Sequence, residues 1–128
     1  MKKYHTIALS LLAGAVIGGG VIQGLHAQST PPVYVVAEID VQNVEAYTRD
    51  YVPKAQALIR SMGGKFLAAG QKVTQLEGEP PKTRVAVQVW PSMDKIQAWQ
   101  KSAELKELRA IVKDSAKFRV FAVEGLPQ

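Results

Sequence analysis

Residues 33–40 read V-Y-V-V-A-E-I-D. Odd positions Val33, Val35, Ala37 and Ile39 are all apolar; even positions Tyr34, Val36, Glu38 and Asp40 are mixed. A period of two over a β-branched run predicts a strand with one face in a core and the other in a polar or partly covered setting. Residues 83–90, T-R-V-A-V-Q-V-W, divide the same way. Thr83, Val85, Val87 and Val89 make one face, and Arg84, Ala86, Gln88 and Trp90 the other. The two stretches are expected to be neighbouring central strands, with Glu38, Tyr34 and Trp90 on one mixed face. There Glu38 would stand beside Arg84 or Gln88.

Outward from this pair the chain alternates in period. Asn43 is placed to cap a helix, with Glu45 in its first turn, where the macrodipole favours an acid. Val44, Tyr47, Tyr51, Ala55, Leu58 and Met62 follow at spacings of three and four, a helical stripe. Pro53 lies inside that stripe and cannot donate a backbone hydrogen bond, so a kink or break is expected near Val52. Gly63 and Gly64 end the helix. Residues 65–69 read as a second strand, continuing over 72–76 after a bend at Gly70, and residues 77–82 carry the Gly and Pro of a turn. Pro91 stops the strand 83–90, and Ser92 can cap a second helix. Its inward stripe is Ile96, Trp99 and Ala103, then Leu105, Leu108, Ile111 and Val112 after a second cap at Ser102. Residues 118–124 form the last strand. The order β-α-β-β-α-β predicts an α+β, ferredoxin-like sandwich: a four-stranded antiparallel sheet with both helices on one face and strands one and three in the middle.

The beginning of the chain reads as an address. Lys2 and Lys3 precede a charge-free run over residues 7–25, Ala27 offers a cleavage position, and polar residues follow. This is the pattern of a secretory signal peptide over residues 1–27, then a linker over 28–32, a domain over 33–125 and a tail over 126–128. A periplasmic or secreted location is expected. If the leader stays uncleaved, a membrane-anchored interaction module is the alternative. Both histidines, His5 and His26, lie in the leader, and the chain has no cysteine. The mature chain therefore offers no His or Cys to a metal, a haem or a nucleophile, and neither metal nor cofactor is expected. Without Lys2 and Lys3 the balance is 14 basic against 11 acidic residues, or +3, and the charges are interspersed. That speaks against nucleic acid as a partner.

Several pieces, taken in order, resemble the bacterial "domain of unknown function 1330" family of the dimeric α+β barrel superfamily. They are Y-V-V-A-E-I-D-V (34–41), N-V-E-A-Y (43–47), G-G-K-F-L (63–67), L-E-G-E (76–79), V-W-P-S (89–92), S-A-E-L (102–105) and V-E-G (123–125). The chain departs from the family pattern at Val44 and Ala103, where relatives tend to have Pro, at Leu105, where they have an aromatic, and at Val112, where they often have Arg. The resemblance implies the barrel fold and a homodimer, and it brings no established activity. Related barrels include cofactor-free monooxygenases, haem-degrading enzymes and non-catalytic modules.

Three functions stay open on the sequence. The first is a homodimeric domain that binds a small apolar or aromatic molecule without catalysis. The second is a cofactor-independent monooxygenase- or isomerase-like enzyme, with Glu38 as general base and Tyr47 and Tyr51 as donors. The third is the anchored module. A ligand cavity would draw on Tyr34, Tyr47, Tyr51, Arg84, Gln88 and Trp90. The plainer alternatives are a cross-strand partner for Glu38, core packing for Tyr47 and Tyr51, and interface filling for Tyr34 and Trp90.

Overall fold

A computed structural model describes residues 30–127. The predicted signal peptide and the first two residues of the linker lie outside the described residues. Strand β1 (Val33–Val41) lies in the middle of the sheet, with Val33, Val35, Ala37 and Ile39 all buried and Val35 fully so. The sheet order is β2-β3-β1-β4 and every pairing is antiparallel. Here β2 is Lys65–Gly70, β3 is Arg84–Trp90 and β4 is Ala116–Glu124. The described residues thus form the expected ferredoxin-like α+β sandwich, with strands one and three adjacent at its middle.

The first helical stretch has three parts: α1 (Val44–Ala46), a π-helical turn over Tyr47–Tyr51, and α2 (Val52–Ser61). Asn43 Oδ1 caps its start by accepting from the Ala46 N–H at 3.0 Å. The expected break at Pro53 takes the form of this π turn. Val52 N–H reaches back to Tyr47 O, and Pro53 falls in the first turn of α2, where a missing N–H costs no hydrogen bond. The π turn also corrects the predicted stripe. The buried positions are Tyr47, Tyr51, Ala55 and Ile59, while Val44 is exposed and Leu58 and Met62 are only half-buried. In an α-helix a spacing of four drifts by about 40° per step. The wider π turn takes up part of that drift, so four residues at constant spacing face one sheet. The helix closes with a Schellman cap. Gly64 N–H donates to Ile59 O and Gly63 N–H to Arg60 O, with Gly63 at φ 110°.

Strand β2 ends at Gly70, and residues 72–76 form no strand, contrary to the sequence expectation. A bulge at Leu67 shifts the pairing from Phe66↔Gln88 to Ala68↔Val87. The second helical stretch divides as expected, into α3 (Met93–Gln100) and α4 (Ala103–Ile111). Ser102 Oγ accepts from Leu105 N–H and donates to Trp99 O, capping one helix while closing the other. Ala103 and Ile111, placed in the inward stripe on spacing, are exposed.

Register supplies the main correction. β1 and β3 pair Val33↔Trp90, Val35↔Gln88, Ala37↔Ala86 and Ile39↔Arg84. Residues directly opposite share a face, so the apolar face of β1 lies with the mixed face of β3 beneath the helices. Val85, Val87 and Val89 share the open face with Tyr34, Val36 and Glu38. Thr83 fixes this end of the ladder, its hydroxyl donating to Ile39 O and accepting from Val41 N–H. Two clusters fill the helix-covered side. One gathers Trp90, Trp99, Ile59, Ile96 and Leu105 around Val33 and Val35; the other gathers Tyr47, Tyr51, Ala55, Leu108 and Val112 around Ala37 and Ile39.

Candidate functional site

Between the first helical stretch and the sheet lies a cavity of about 50 Å³. At roughly 10–15 Å³ per water-sized probe it has room for about four such groups, well below the usual ~300 Å³ or more of a drug-sized site. Its walls are apolar where Ala37, Ile39, Val52 and Ala55 meet. The polar groups come from Tyr47, Tyr51, Arg84, Gln88, Arg109 and Gln56. Among the described residues, none in the wall is acidic. Exposed Ala69 and half-buried Gln56 mark the rim.

The two tyrosines form one side. The π turn stacks them, with ring centroids 5.2 Å apart, and Phe118 of β4 leans against Tyr51 at 5.2 Å. Arg109 arrives from α4 and packs its guanidinium over the Phe118 ring at 3.7 Å. Its Nε donates to Tyr51 Oη at 3.1 Å. Arg84 comes from the first residue of β3 and sits 5.6 Å from the centroid of the Tyr47 ring. Neither arginine belongs to any of the ion pairs found among the described residues. Gln88 is buried, and its Oε1 accepts from Trp90 Nε1 at 2.8 Å. An indole nitrogen only donates, so the Gln88 oxygen must face Trp90 and its amide N–H pair faces elsewhere. Trp99, in the same wall, has its indole N–H buried without an acceptor among the described residues.

Burial, reinforced by the neighbouring Tyr51, pushes the Tyr47 phenol up from 10.0 to about 12, against the opposing pull of Arg84 and Arg109. At neutral pH Tyr47 is therefore a hydrogen-bond donor and not a base. The sign for stability follows directly. An unfolded chain releases this proton near pH 10, whereas the folded chain holds it to about 12. The contribution is fully present below pH 10 and is lost as pH rises to 12, in total about 3 kcal/mol. We expect Tyr47→Phe to flatten the fall in stability across that window and to remove the last phenolate step from an absorbance titration. An unchanged titration would place the late-ionising phenol elsewhere.

Of the residues singled out on the sequence, Tyr47, Tyr51, Arg84 and Gln88 meet in this cavity. Trp90 does not line it, but supports it by stacking on Trp99 at 5.2 Å and by holding Gln88. Glu38 and Tyr34 stand on the other face of the sheet. Glu38 accepts from Arg119 Nη1 at 2.6 Å, and it lies opposite Val85 and Arg119, not beside Arg84 or Gln88. The one-residue offset between the two strands' apolar faces is the reason. Sequence reading passed over Arg109, Trp99 and Phe118 as site residues. For Arg109 a signal existed: Leu105, Leu108, Arg109 and Val112 follow i, i+3, i+4, i+7, which puts a guanidinium on the flank of an inward stripe. It stands one turn before the buried Val112.

The fold is shared with solved structures of low sequence identity. A protein of unknown function from Rhodopseudomonas palustris is similar at 18% identity and a TM-score of 0.61, over 85% of this chain and 94% of that one. SnoaB, a cofactor-independent oxygenase from Streptomyces nogalater, is similar at 12% identity and a TM-score of 0.55, over 77% and 96% of the two chains. A conserved protein of unknown function from Bacteroides thetaiotaomicron is similar at 13% identity and a TM-score of 0.51, over 74% and 98%. These likenesses speak to the fold alone. No curated protein matches this chain. The model of the domain of unknown function DUF1330 matches residues 32–126, so this chain belongs to the DUF1330 family.

Proposed function

We propose that this protein is an exported, homodimeric binding domain that takes a small molecule into the cleft between its first helical stretch and its sheet, without catalysis. The observation that carries this reading is the make-up of the cleft. It gathers donors, two cations and apolar walls, while the carboxylate best suited to acid–base work lies across the sheet. An enzyme that used Glu38 as its base would need that side chain in the same cavity as Tyr47 and Tyr51. The size of the cavity limits the buried part of the ligand to a few heavy atoms, with any larger body at the rim near Ala69 and Gln56.

The leader over residues 1–27 supports export. The open sheet face supports a second copy of this chain as partner. Val36 pairs with both Val87 and Phe121, which makes an apolar row across three strands. Phe121 and Val123 are 45% and 56% exposed, and Leu67 is exposed as well. Four strands about 4.8 Å apart and seven residues of about 3.3 Å present roughly 19 by 23 Å. The groove formed by Ala68, Val85 and residues 71–74 extends that surface. The sheet face alone supplies about half of the ~800 Å² per partner that stable pairs bury, and the groove and its rim add to it.

Native mass spectrometry of protein purified from its own host tests the binding reading. The expected result is a co-purifying small molecule that Glu38→Gln leaves in place and Ala55→Leu, which narrows the cavity, expels. Loss of the molecule with Glu38→Gln and its retention with Ala55→Leu would move the site to the other face of the sheet. Intact mass of the same sample reads whether the chain begins at Gln28.

A further inference from the structure

Resting on that reading of the cavity, we propose that the ligand carries a carboxylate, held between Arg84 and Arg109. Two guanidinium groups reach one small cavity from different elements, the first residue of β3 and the middle of α4. Both are half-buried, and neither is paired with an acid among the described residues. A charge withdrawn from water without a counter-charge is costly, and two like charges at one cavity add repulsion to that cost. Aromatic faces meet part of the demand, Phe118 beneath Arg109 and Tyr47 beneath Arg84. The rest is met by an anion.

The surrounding groups favour a carboxylate over other anions. Among the described residues Arg109 spends only its Nε, on Tyr51, which leaves its terminal nitrogens for the planar, two-point contact that guanidinium makes with carboxylate. The protonated Tyr47 phenol is a donor throughout the physiological range. The buried indole N–H of Trp99 leaves a further demand for an acceptor in this wall. A carboxylate and its attached carbon fit a space of about 50 Å³. The apolar walls suit the start of a hydrocarbon or aryl tail that leaves past Ala69.

Calorimetric titration of the purified protein with propionate and benzoate, and with the neutral isosteres propionamide and benzamide, tests this directly. Each acid is expected to bind at least about tenfold tighter than its amide. Affinity should fall as salt is raised, and again as pH drops through the ligand's own carboxyl titration, near 4–5. Arg84→Gln and Arg109→Gln should each weaken propionate about tenfold or more, with Arg109→Lys recovering part of the loss and thermal melts reporting that the variants are folded. Amides that bind as tightly as acids would overturn the carboxylate and leave the binding cavity standing. Failure of all four compounds to bind would remove the cavity reading together with the carboxylate. Nitrate or chloride displacing propionate at equal concentration would reduce the site to a general anion hole and overturn the assignment of class.

Discussion

Trp90→Ala is expected to lower the folding free energy by about 4 kcal/mol. A domain of this size has in total roughly 5–14 kcal/mol, so the variant should lie near the edge of stability. The indole is 1% exposed, stacks on Trp99 and donates to Gln88 Oε1. Its removal opens a large void and leaves a buried amide oxygen without a donor, and the two penalties act together. The same ring rules the other end of the first helical stretch. A Cβ on Gly64 would lie 2.6 Å from Trp90 Cε2 and 2.7 Å from Ile59 Cγ2. Gly64→Ala alone should therefore cost about 1–3 kcal/mol through overpacking. In a Trp90→Ala background the clash with the indole is gone and only that with Ile59 remains, so the cost of the added methyl should shrink. Urea unfolding of the four proteins measures the cycle. A Trp90→Ala loss below about 1.5 kcal/mol, or strictly additive costs, would mean that the Trp90–Gly64 contact does not organise this side of the core.

Val36→Asp should convert the proposed dimer to a monomer. Val36 lies at the centre of the open face, between Val87 and Phe121. A charge there would be sealed against the same charge from the partner, since a two-fold interface brings equivalent patches together. Burying such a pair without counter-charges is expected to weaken association roughly a hundredfold or more. Folding of the single chain should change little, because this face is only half-buried in it. Sedimentation at micromolar concentration reads the result. A wild-type protein that sediments as a monomer under those conditions would sink the dimer outright. A dimeric Val36→Asp variant would move the interface to another surface. The Glu38–Arg119 pair on the same face is already neutralised, with Arg119 lying 5.4 Å from the Phe121 ring centroid. It can therefore remain at an interface where an added acid cannot.

These two predictions also mark what could be read from the residues. The element order, the buried odd positions of β1 and the broken second helix follow from periodicity and caps that any reader of the chain can see. The register of β3 does not. Both of its faces carry apolar side chains, and a one-residue slip exchanges them without disturbing the alternation. Three valines looked like core, yet the strand turns Arg84, Ala86, Gln88 and Trp90 inward. That choice is stable because Trp90 satisfies the Gln88 oxygen and the Tyr47 ring receives Arg84. The Arg84 contact depends on a partner distant in sequence, and the Gln88–Trp90 pair, two residues apart, could form on either face, so no local pattern announces the choice. Four of the six residues proposed for a ligand site still converged on the cavity. Glu38 did not, because its placement rested on the register that sequence leaves open. Arg109 came from the second helical stretch and became meaningful only once Tyr51 and Phe118 stood beside it.

The π turn over Tyr47–Tyr51 has a consequence for how such a chain diverges. It holds one residue more than an α-helix would need to cover the same rise. Loss of a single codon among residues 48–50 would regularise the helix and leave Tyr47 three residues before Tyr51, about 60° short of a full turn from it. Tyr47 would shift to the flank of the buried stripe, while Tyr51, Ala55 and Ile59 kept their places. Chain length at this point thus acts as a phase setting for the pocket, and relatives differing by one residue here would share a scaffold while presenting different walls to whatever they bind.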